Sequence, residues 1–249
     1  MSNGLTFDFG GTSVLVTGGT SGIGHAIASA FATAGATVTV TGTRASAAEY
    51  DTDLSAFTYT QLEMRDADAV DALAAGLGSL DVLVNNAGAN FPDGLDEWSP
   101  EGFSASLDMN VEGAQRLTVR ARDALAASTM AGGASVVNIV SMTAFRATTI
   151  VPGYSSSKAA LLALTRNLAV HWVGRGIRVN AVAPGLIDTP MTAPMKAFPE
   201  LLDSEVGKAA MPRMGTPDEV AAAVLFLSSS ASAFTTGSVL AVDGGYLVA

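Results

Sequence analysis

The chain has 249 residues, of which 49% are hydrophobic and 14% charged, so it can bury a large core as a single domain over residues 1–249. The net charge of −10 argues against a nucleic-acid partner, because phosphate binding needs clustered Lys and Arg. With no cysteine, no leader-like N-terminus and no apolar run long enough to span a membrane, we expect a soluble cytoplasmic protein without disulfides or membrane contact.

A strand, a glycine-rich turn and a helix open the chain. Ser13 to Thr17 is apolar and β-branched, and it leads into Gly-Gly-Thr-Ser-Gly-Ile-Gly over residues 18–24, after which apolar residues recur at helical spacing. Glycine lets the backbone approach a ligand, and a helix N-terminus offers free N–H groups, so the turn predicts a cradle for a pyrophosphate. A glycine turn alone is a weak signal, and an ordinary turn is the alternative. The predicted cradle residues are Gly18, Thr20, Ser21, Gly22, Ile23 and Gly24.

The end of the second strand bears on the choice of coenzyme. Ala36 to Thr41 is predicted to complete a parallel βαβ unit. NAD-selective proteins usually carry an acidic residue at this strand end, whereas a nearby Arg accommodates the 2′-phosphate of NADP. The chain continues Gly-Thr-Arg without a carboxylate, so Arg44 favours NADP(H). NAD(H) is the alternative, with Arg44 stacked on the adenine or solvated.

Two further strands bring polar residues to the same edge. A strand over 57–62 precedes Glu63, and a buried strand over 80–84 precedes Asn-Asn-Ala-Gly. Ligands of open α/β sheets bind outside the carboxyl ends of the strands, so these residues should share one groove with the glycine turn. A capped turn is the alternative for the two Asn residues. The expected groove residues are Glu63, Met64, Asn86, Ala87 and Gly88.

Two polar residues farther along occupy unusual places. A helix that begins after Ser99 contains Asn110, although an amide is unfavourable in the middle of a helix. The buried strand from Val136 ends at Ser141, on the predicted ligand edge. A serine there is usually a turn former, but it can also donate a hydrogen bond to a substrate oxygen.

Tyr154 and Lys158 are four positions apart at the start of a long apolar helix, so their side chains share one face. A cation about 4 Å from a phenol favours the phenolate by ~4 kcal/mol at an effective dielectric of about 20, or about three pKa units. The expected result is a phenol with a pKa near neutrality, which suits it to proton transfer. The helix is apolar nearly all round, which also predicts an isologous dimer contact.

The last third of the chain contains one segment of unusual composition. After a strand over 177–182, residues 186–211 are rich in Met and Pro, which predicts a lid over the substrate, with packing against another subunit as the alternative. Phe91, Trp98 and Phe145 predict a partly apolar substrate pocket. The two histidines have no cysteine or carboxylate at ligand spacing, so no metal site is expected.

Taken in order, these motifs resemble the short-chain dehydrogenases/reductases, over residues 13 to about 246. The matching features are Thr-Gly-x-x-x-Gly-Ile-Gly over 17–24, Asn-Ala-Gly over 86–88, Asn110, Ser141, Tyr154 with Lys158, Pro184 with Gly185, and Asp-Gly-Gly over 243–245. The resemblance implies a three-layer α/β Rossmann fold, with a seven-stranded parallel sheet and three helices on each face. It also implies an NAD(P) cofactor, interconversion of a secondary alcohol and a ketone, and commonly a homotetramer.

The resemblance also implies individual roles. Tyr154 would be the general acid/base, Ser141 would bind the substrate oxygen, and Asn110 would place a water that relays protons to Lys158. Lys158 would lower the pKa of the tyrosine and hold the nicotinamide ribose. Ile187 and Thr189 would hold the carboxamide end of the nicotinamide, and Pro184 and Gly185 would also bind the cofactor.

Departures from the family pattern leave two alternatives. Glu63 stands where Asp is usual, and Ser21 stands where many NADP-preferring members have a basic residue. Reductases of acyl carrier protein substrates dock their acidic partner with two arginines, of which Arg175 matches one while Gly132 replaces the other. A 3-oxoacyl-acyl-carrier-protein reductase is therefore less favoured than an enzyme of free small alcohols. A non-catalytic nucleotide-binding scaffold is disfavoured because it would not need the serine, tyrosine and lysine.

Overall fold

Seven parallel strands form one sheet in the computed structural model, which describes residues 6–249. The strands are Ser13–Val16 (β1), Thr37–Gly42 (β2), Thr58–Gln61 (β3), Val82–Asn85 (β4), Ala134–Ile139 (β5), Ile177–Pro184 (β6) and Val239–Val242 (β7). Their order across the sheet is β3-β2-β1-β4-β5-β6-β7. The strand order reverses between β1 and β4, and ligands of such sheets bind at this switch point.

Helices cover both faces of the sheet. They are Gly22–Thr33 (α1), Ala67–Ala75 (α2), Pro100–Leu107 (α3), Gly113–Arg120 (α4), Arg122–Ala126 (α5), Pro152–Trp172 (α6), Pro199–Val206 (α7) and Pro217–Ser228 (α8). None of these helices is both long and apolar enough to cross a membrane.

The alternation of side chains along β1 shows how the layers form. Val14 and Val16 pack with residues of α1 and α8, whereas Leu15 packs with residues of α2, α4 and α6. Successive strand residues point to opposite faces, so both faces of this central strand are buried and its sequence is continuously apolar. The predicted three-layer Rossmann fold is confirmed.

The expected three helices on each face are not all present. The connection between β2 and β3 contains only a short 3₁₀ turn at Ala47–Glu49, so α1 and α8 are the long helices on that face. Ser46 caps this turn, and Glu49 reaches back to the Ser46 main chain. Ser and Asp are frequent in this connection, and their side chains compete for backbone hydrogen bonds, which disfavours a longer helix.

A buried polar network fixes the long helix α6 against the sheet. Asn138 on β5 accepts a hydrogen bond from Asn85 Nδ2 at 2.8 Å and donates to Thr165 Oγ1 on α6 at 2.8 Å. Asn85 Nδ2 also donates to Thr118 Oγ1 on α4 at 2.8 Å. One cluster of side chains therefore connects two neighbouring strands with two helices, and unpaired members would be costly so far from water.

We expect Asn138→Ala to lower the free energy of unfolding by about 2–3 kcal/mol, because Asn85 loses a buried acceptor and a small void remains. Asn167→Ala, at an exposed position of α6, is the matched control and should change stability by less than about 0.5 kcal/mol. Urea unfolding followed by circular dichroism measures both. Equal stability of the two variants would show that the network does not hold α6.

Candidate functional site

A cavity of about 860 Å³ lies at the carboxyl ends of the strands, beside the switch point. All of the site residues predicted from the sequence line it, except Asn110 and Arg44. The residues brought together are Gly18, Thr20, Ser21, Gly22, Ile23, Gly24, Glu63, Met64, Asn86, Ala87, Gly88, Ser141, Tyr154, Lys158, Pro184, Gly185, Ile187 and Thr189. Groups that are distant in the chain therefore share one space.

The N-terminus of α1 at one end of this cavity fits a pyrophosphate. Ser21 occupies the capping position but makes no side-chain hydrogen bond there, and the first turn contains no acidic residue. The first N–H groups of the helix therefore have no side-chain partner, and no carboxylate repels an anion. Gly18 and Gly22 have φ values of +63° and +51°, which other residues adopt only with strain. A Cβ on Gly24 would collide with the Gly18 carbonyl oxygen and the Asn86 amide.

Asn86 stabilises the glycine turn from the neighbouring strand. Its Nδ2 donates to the carbonyl oxygens of Thr17 at 3.0 Å and Gly18 at 3.1 Å. In return, Thr17 Oγ1 accepts from the main-chain N–H groups of Asn86 and Ala87, both at 3.0 Å. The turn after β4 and the turn after β1 therefore hold each other in place. Thr17 was not among the predicted site residues, although its position directly before the first glycine is a usable signal.

Arg44 lies outside the cavity, contrary to the predicted groove. Its guanidinium stacks on the Tyr50 ring, 4.7 Å from the centroid, and donates to the Glu49 carbonyl oxygen. Tyr50 and Thr43 line the cavity instead. Tyr50 was missed because it comes from the irregular β2–β3 connection, where no periodic pattern indicates which side chain points inward.

Tyr154, Lys158 and Ser141 meet at the middle of the cavity. Lys158 is 2% exposed, and its Nζ donates to the Ile139 carbonyl oxygen at 2.9 Å and lies 5.4 Å from the centroid of the Tyr154 ring. Ser141 Oγ accepts hydrogen bonds from Thr143 N at 3.1 Å and Thr143 Oγ1 at 3.0 Å, so Ser141 keeps its own proton as a donor. The predicted convergence of phenol, ammonium and hydroxyl is present.

The predicted lowering of the Tyr154 pKa is wrong for the protein alone. Burial raises the pKa of Tyr154 to about 12, a nearby hydrogen bond from Ser141 opposes that rise, and the charge of Glu97 adds to it. Burial also lowers the pKa of Lys158 to about 8, because its ammonium has lost its hydration. Desolvation is the largest cause of both shifts, and the phenol is protonated at neutral pH.

Asn110 lies behind the cavity wall and is fully buried in a π turn at Asp108–Glu112. Its Nδ2 donates to the carbonyl oxygens of Ser106 and Ala89, both at 2.9 Å, while its Oδ1 accepts from Ala89 N at 3.1 Å. A Cβ on Gly88 would lie 3.2 Å from Lys158 Nζ and still closer to Asn110 Oδ1. The π turn explains an amide in the middle of a helical segment, and such turns are frequent at functional sites.

The Met- and Pro-rich segment predicted as a lid contributes one side of the cavity, through residues that include Met191, Pro194, Met195 and Leu201. Phe91 also lines the cavity, whereas Trp98 and Phe145 do not. The partly apolar pocket expected from these aromatic residues is therefore made mainly by aliphatic side chains, including methionines. Within residues 6–249, no three His, Cys, Asp or Glu side chains are grouped as a metal site would require.

Comparison with known proteins identifies the family. The family described as enoyl-(acyl carrier protein) reductase matches residues 18–247. Galactitol 2-dehydrogenase (L-tagatose-forming) of Cereibacter sphaeroides is 39% identical, with 97% of each chain covered. The chain belongs to the short-chain dehydrogenase/reductase family.

Two further relatives agree with this assignment. The 2-dehydro-3-deoxy-D-gluconate 5-dehydrogenase of Bacillus subtilis is 34% identical, with 97% of this chain and 96% of that protein covered. The Pseudomonas aeruginosa RhlG/NADP active-site complex has a TM-score of 0.86 and 32% identity, with 98% of this chain and 99% of that chain covered. This short-chain dehydrogenase/reductase is an NAD(P)-dependent oxidoreductase that interconverts an alcohol and a ketone.

We expect the rate of alcohol oxidation by this short-chain dehydrogenase/reductase to rise as pH increases from about 6 to about 8. Tyr154 must lose its proton to act as a base, and because its pKa is raised, the phenolate fraction grows about tenfold per pH unit below that pKa. Ketone reduction uses the protonated phenol and should change little over the same range. Initial rates in both directions measure this difference, and an oxidation rate independent of pH would contradict it.

Proposed function

We propose that this enzyme oxidises a secondary hydroxyl group of a small polyhydroxylated compound, or reduces the matching ketone, with NADP(H) as the coenzyme. The main support for this proposal is that Tyr154, Lys158 and Ser141 line the same cavity as the glycine turn at the N-terminus of α1, which suits a dinucleotide. When bound, the nicotinamide coenzyme supplies or accepts the hydride. The side chains of this chain then need only orient the substrate and move one proton.

Tyr154 is the general acid/base in this proposal. In the reducing direction its phenol donates a proton to the ketone oxygen, and in the oxidising direction its phenolate accepts the proton of the alcohol. Ser141 donates a hydrogen bond to the same oxygen and stabilises the negative charge that develops there. A phenol that is protonated at neutral pH is ready to donate, which favours the reducing direction at lower pH.

Lys158 has two tasks in the proposal. Its ammonium faces the Tyr154 ring and stabilises the phenolate when it forms, and its buried position suits it to hold the nicotinamide ribose. Asn110 would place a proton-relaying water near Lys158, since Asn110 Oδ1 and Lys158 Nζ both approach Gly88. Pro184, Gly185, Ile187 and Thr189 would hold the nicotinamide end.

The glycine cradle, Glu63, Met64 and Asn86 to Gly88 would hold the adenosine and pyrophosphate parts of the coenzyme. NADP(H) is favoured over NAD(H) because no carboxylate follows β2 and because Arg44 lies at this end of the cavity, stacked on the lining residue Tyr50. A rotation of the Arg44 side chain would bring its guanidinium toward a 2′-phosphate. The solved RhlG complex, which contains NADP, supports the same choice.

The substrate class is inferred from polar residues that line the cavity. Hydroxyl and amide groups of Thr143, Thr148, Thr149 and Asn90 line it together with methionines, so the surface can bind several hydroxyl groups and short apolar stretches. The similarity to galactitol 2-dehydrogenase supports a polyol. Residues 186–211 would close over it as a lid.

We further propose a cytoplasmic homotetramer, or a homodimer as the smaller unit. Support comes from the outer face of α6, where Ala159, Ala163 and Val170 are exposed, Val170 at 81% of its surface. Val119 is exposed on α4 as well. A second copy of the chain packing on these two helices would bury these apolar groups.

The direct test is oxidation of galactitol with NADP⁺ or NAD⁺, followed by the absorbance of the reduced coenzyme. We expect turnover with NADP⁺ and a kcat/KM at least about tenfold lower with NAD⁺, the value of roughly one charge-assisted hydrogen bond. If the enzyme turned over other polyols but not galactitol, only galactitol as the substrate would be contradicted, and the substrate class would stand. Absence of turnover with every secondary alcohol and ketone would contradict the proposed function.

Arg44→Ala tests the coenzyme assignment separately. The KM for NADP⁺ should rise about tenfold while the KM for NAD⁺ stays within about twofold, because only NADP⁺ has the phosphate that the guanidinium would bind. Arg122→Ala, an exposed arginine on α5 that does not line the cavity, is the control and should leave both values unchanged. A wild-type preference for NAD⁺ would overturn the role of Arg44.

A further inference from the structure

We propose that Glu97 is a positioning residue for proton transfer: its carboxylate fixes the main chain of Tyr154 and, at the same time, the cavity wall at Phe91. The inference deepens the proposed function and rests on it. Nothing in the sequence motifs indicated Glu97, which lies in the irregular segment before α3.

Glu97 is a buried charge in an exposed segment. It is 1% exposed, whereas the next residue, Trp98, is 66% exposed and Asp96 is also exposed. Burying a carboxylate is unfavourable unless strong hydrogen bonds compensate it. The partners of Glu97 are main-chain groups: Oε1 accepts from Phe91 N and Oε2 accepts from Tyr154 N, both at 2.8 Å. Both carboxylate oxygens therefore accept hydrogen bonds from residues that line the cavity.

Two helices leave room for this carboxylate. A Cβ on Gly153, at the start of α6, would lie 2.7 Å from Ser106 Oγ and 3.3 Å from Glu97 Oε2. A Cβ on Gly102, in the first turn of α3, would lie 3.1 Å from Glu97 N and would collide with the Asp96 carbonyl group. Glycine at both positions lets α3, α6 and the Glu97 segment pack in direct contact. The contact of Glu97 with the two helices is therefore part of the packing of α3 against α6.

The bond to Tyr154 acts at the point where the catalytic side chain joins the helix. Tyr154 is the third residue of α6, so its N–H is one of the first-turn donors that the helix itself leaves unpaired. An anionic acceptor there fixes the first turn and is favoured by the helix dipole. The charge of Glu97 also raises the pKa of Tyr154, while Lys158 faces the phenol from the same helix.

The bond to Phe91 acts on a second residue that lines the cavity. Phe91 has a φ of +46°, a left-handed conformation that is uncommon for a large side chain, and its ring lines the cavity. Glu97 accepts the N–H of this residue and so stabilises the unusual conformation. A single carboxylate thereby links the main chain of the proton donor to the main chain of a second residue that lines the cavity.

The test compares Glu97→Gln and Glu97→Asp with wild type. Gln keeps the size but loses the charge, and Asp keeps the charge but is too short to reach both N–H groups. We expect both variants to lose about ten- to a hundredfold in kcat, because a small misplacement of the acid slows the reaction strongly. KM for the coenzyme should stay within about twofold, since Glu97 does not line the cradle. The solvent deuterium isotope effect on kcat should increase, because proton transfer becomes the slower step.

Glu101→Gln, an exposed glutamate in the first turn of α3, is the matched control and should behave as wild type. Wild-type kcat and isotope effect in a folded Glu97 variant would overturn the proposal. If Glu97→Gln does not fold, Glu97→Asp decides by the same two measurements. If neither variant folds, Glu97 is needed for folding itself, and this result would also overturn the proposal.

A measurement without substrate separates this inference from the proposed function. Hydrogen exchange read by mass spectrometry should be faster in Glu97→Gln at the amides of Phe91 and Tyr154, which lose their acceptor. If the wild type turned over no alcohol or ketone, the proposed function would fail whatever the exchange rates show. Unchanged exchange at both amides would refute the Glu97 contacts themselves.

Discussion

The site depends on one buried hydrogen bond, from the Lys158 ammonium to the Ile139 carbonyl oxygen. It fastens the first turns of α6 to the carboxyl end of β5, two residues before Ser141. Taking an ammonium out of water costs several kcal/mol, and the bond to Ile139 offsets only part of that cost. The part of the desolvation cost that this bond does not offset lowers the pKa of Lys158. The geometry that brings phenol, ammonium and hydroxyl together is therefore maintained at a cost in stability, as is common where a fold serves chemistry.

Burial, more than charge pairing, sets the proton affinity of this site. Tyr154 and Lys158 are adjacent on the helix, but both have lost solvent, and desolvation disfavours the charged form of each. The protein alone thus holds a neutral phenol beside an ammonium that releases its proton near pH 8. A cationic nicotinamide at the same place would favour the phenolate, so proton transfer and coenzyme charge are coupled through one low-dielectric space.

Much of this could be predicted from the sequence, because short apolar runs and glycine turns leave local patterns. The strands, the N-terminus of α1 and the shared face of Tyr154 and Lys158 depend on spacing alone. The direction of the Tyr154 pKa shift depends on burial, which spacing does not show. The position of Arg44 outside the cavity could not be predicted, because a long side chain in an irregular connection can stack on Tyr50 as readily as point inward. Glu97 was missed because a single carboxylate among exposed residues looks like any solvated acid.

The central claim is that Tyr154 transfers the proton while the other groups bind and orient. Its most direct test is the turnover of Tyr154→Phe, with coenzyme affinity measured on the same protein by fluorescence titration. The account predicts a loss of about a thousandfold or more in kcat, the range general acid–base groups contribute, with coenzyme affinity nearly unchanged. A variant that keeps wild-type turnover would contradict it, because the proton would then come from another group.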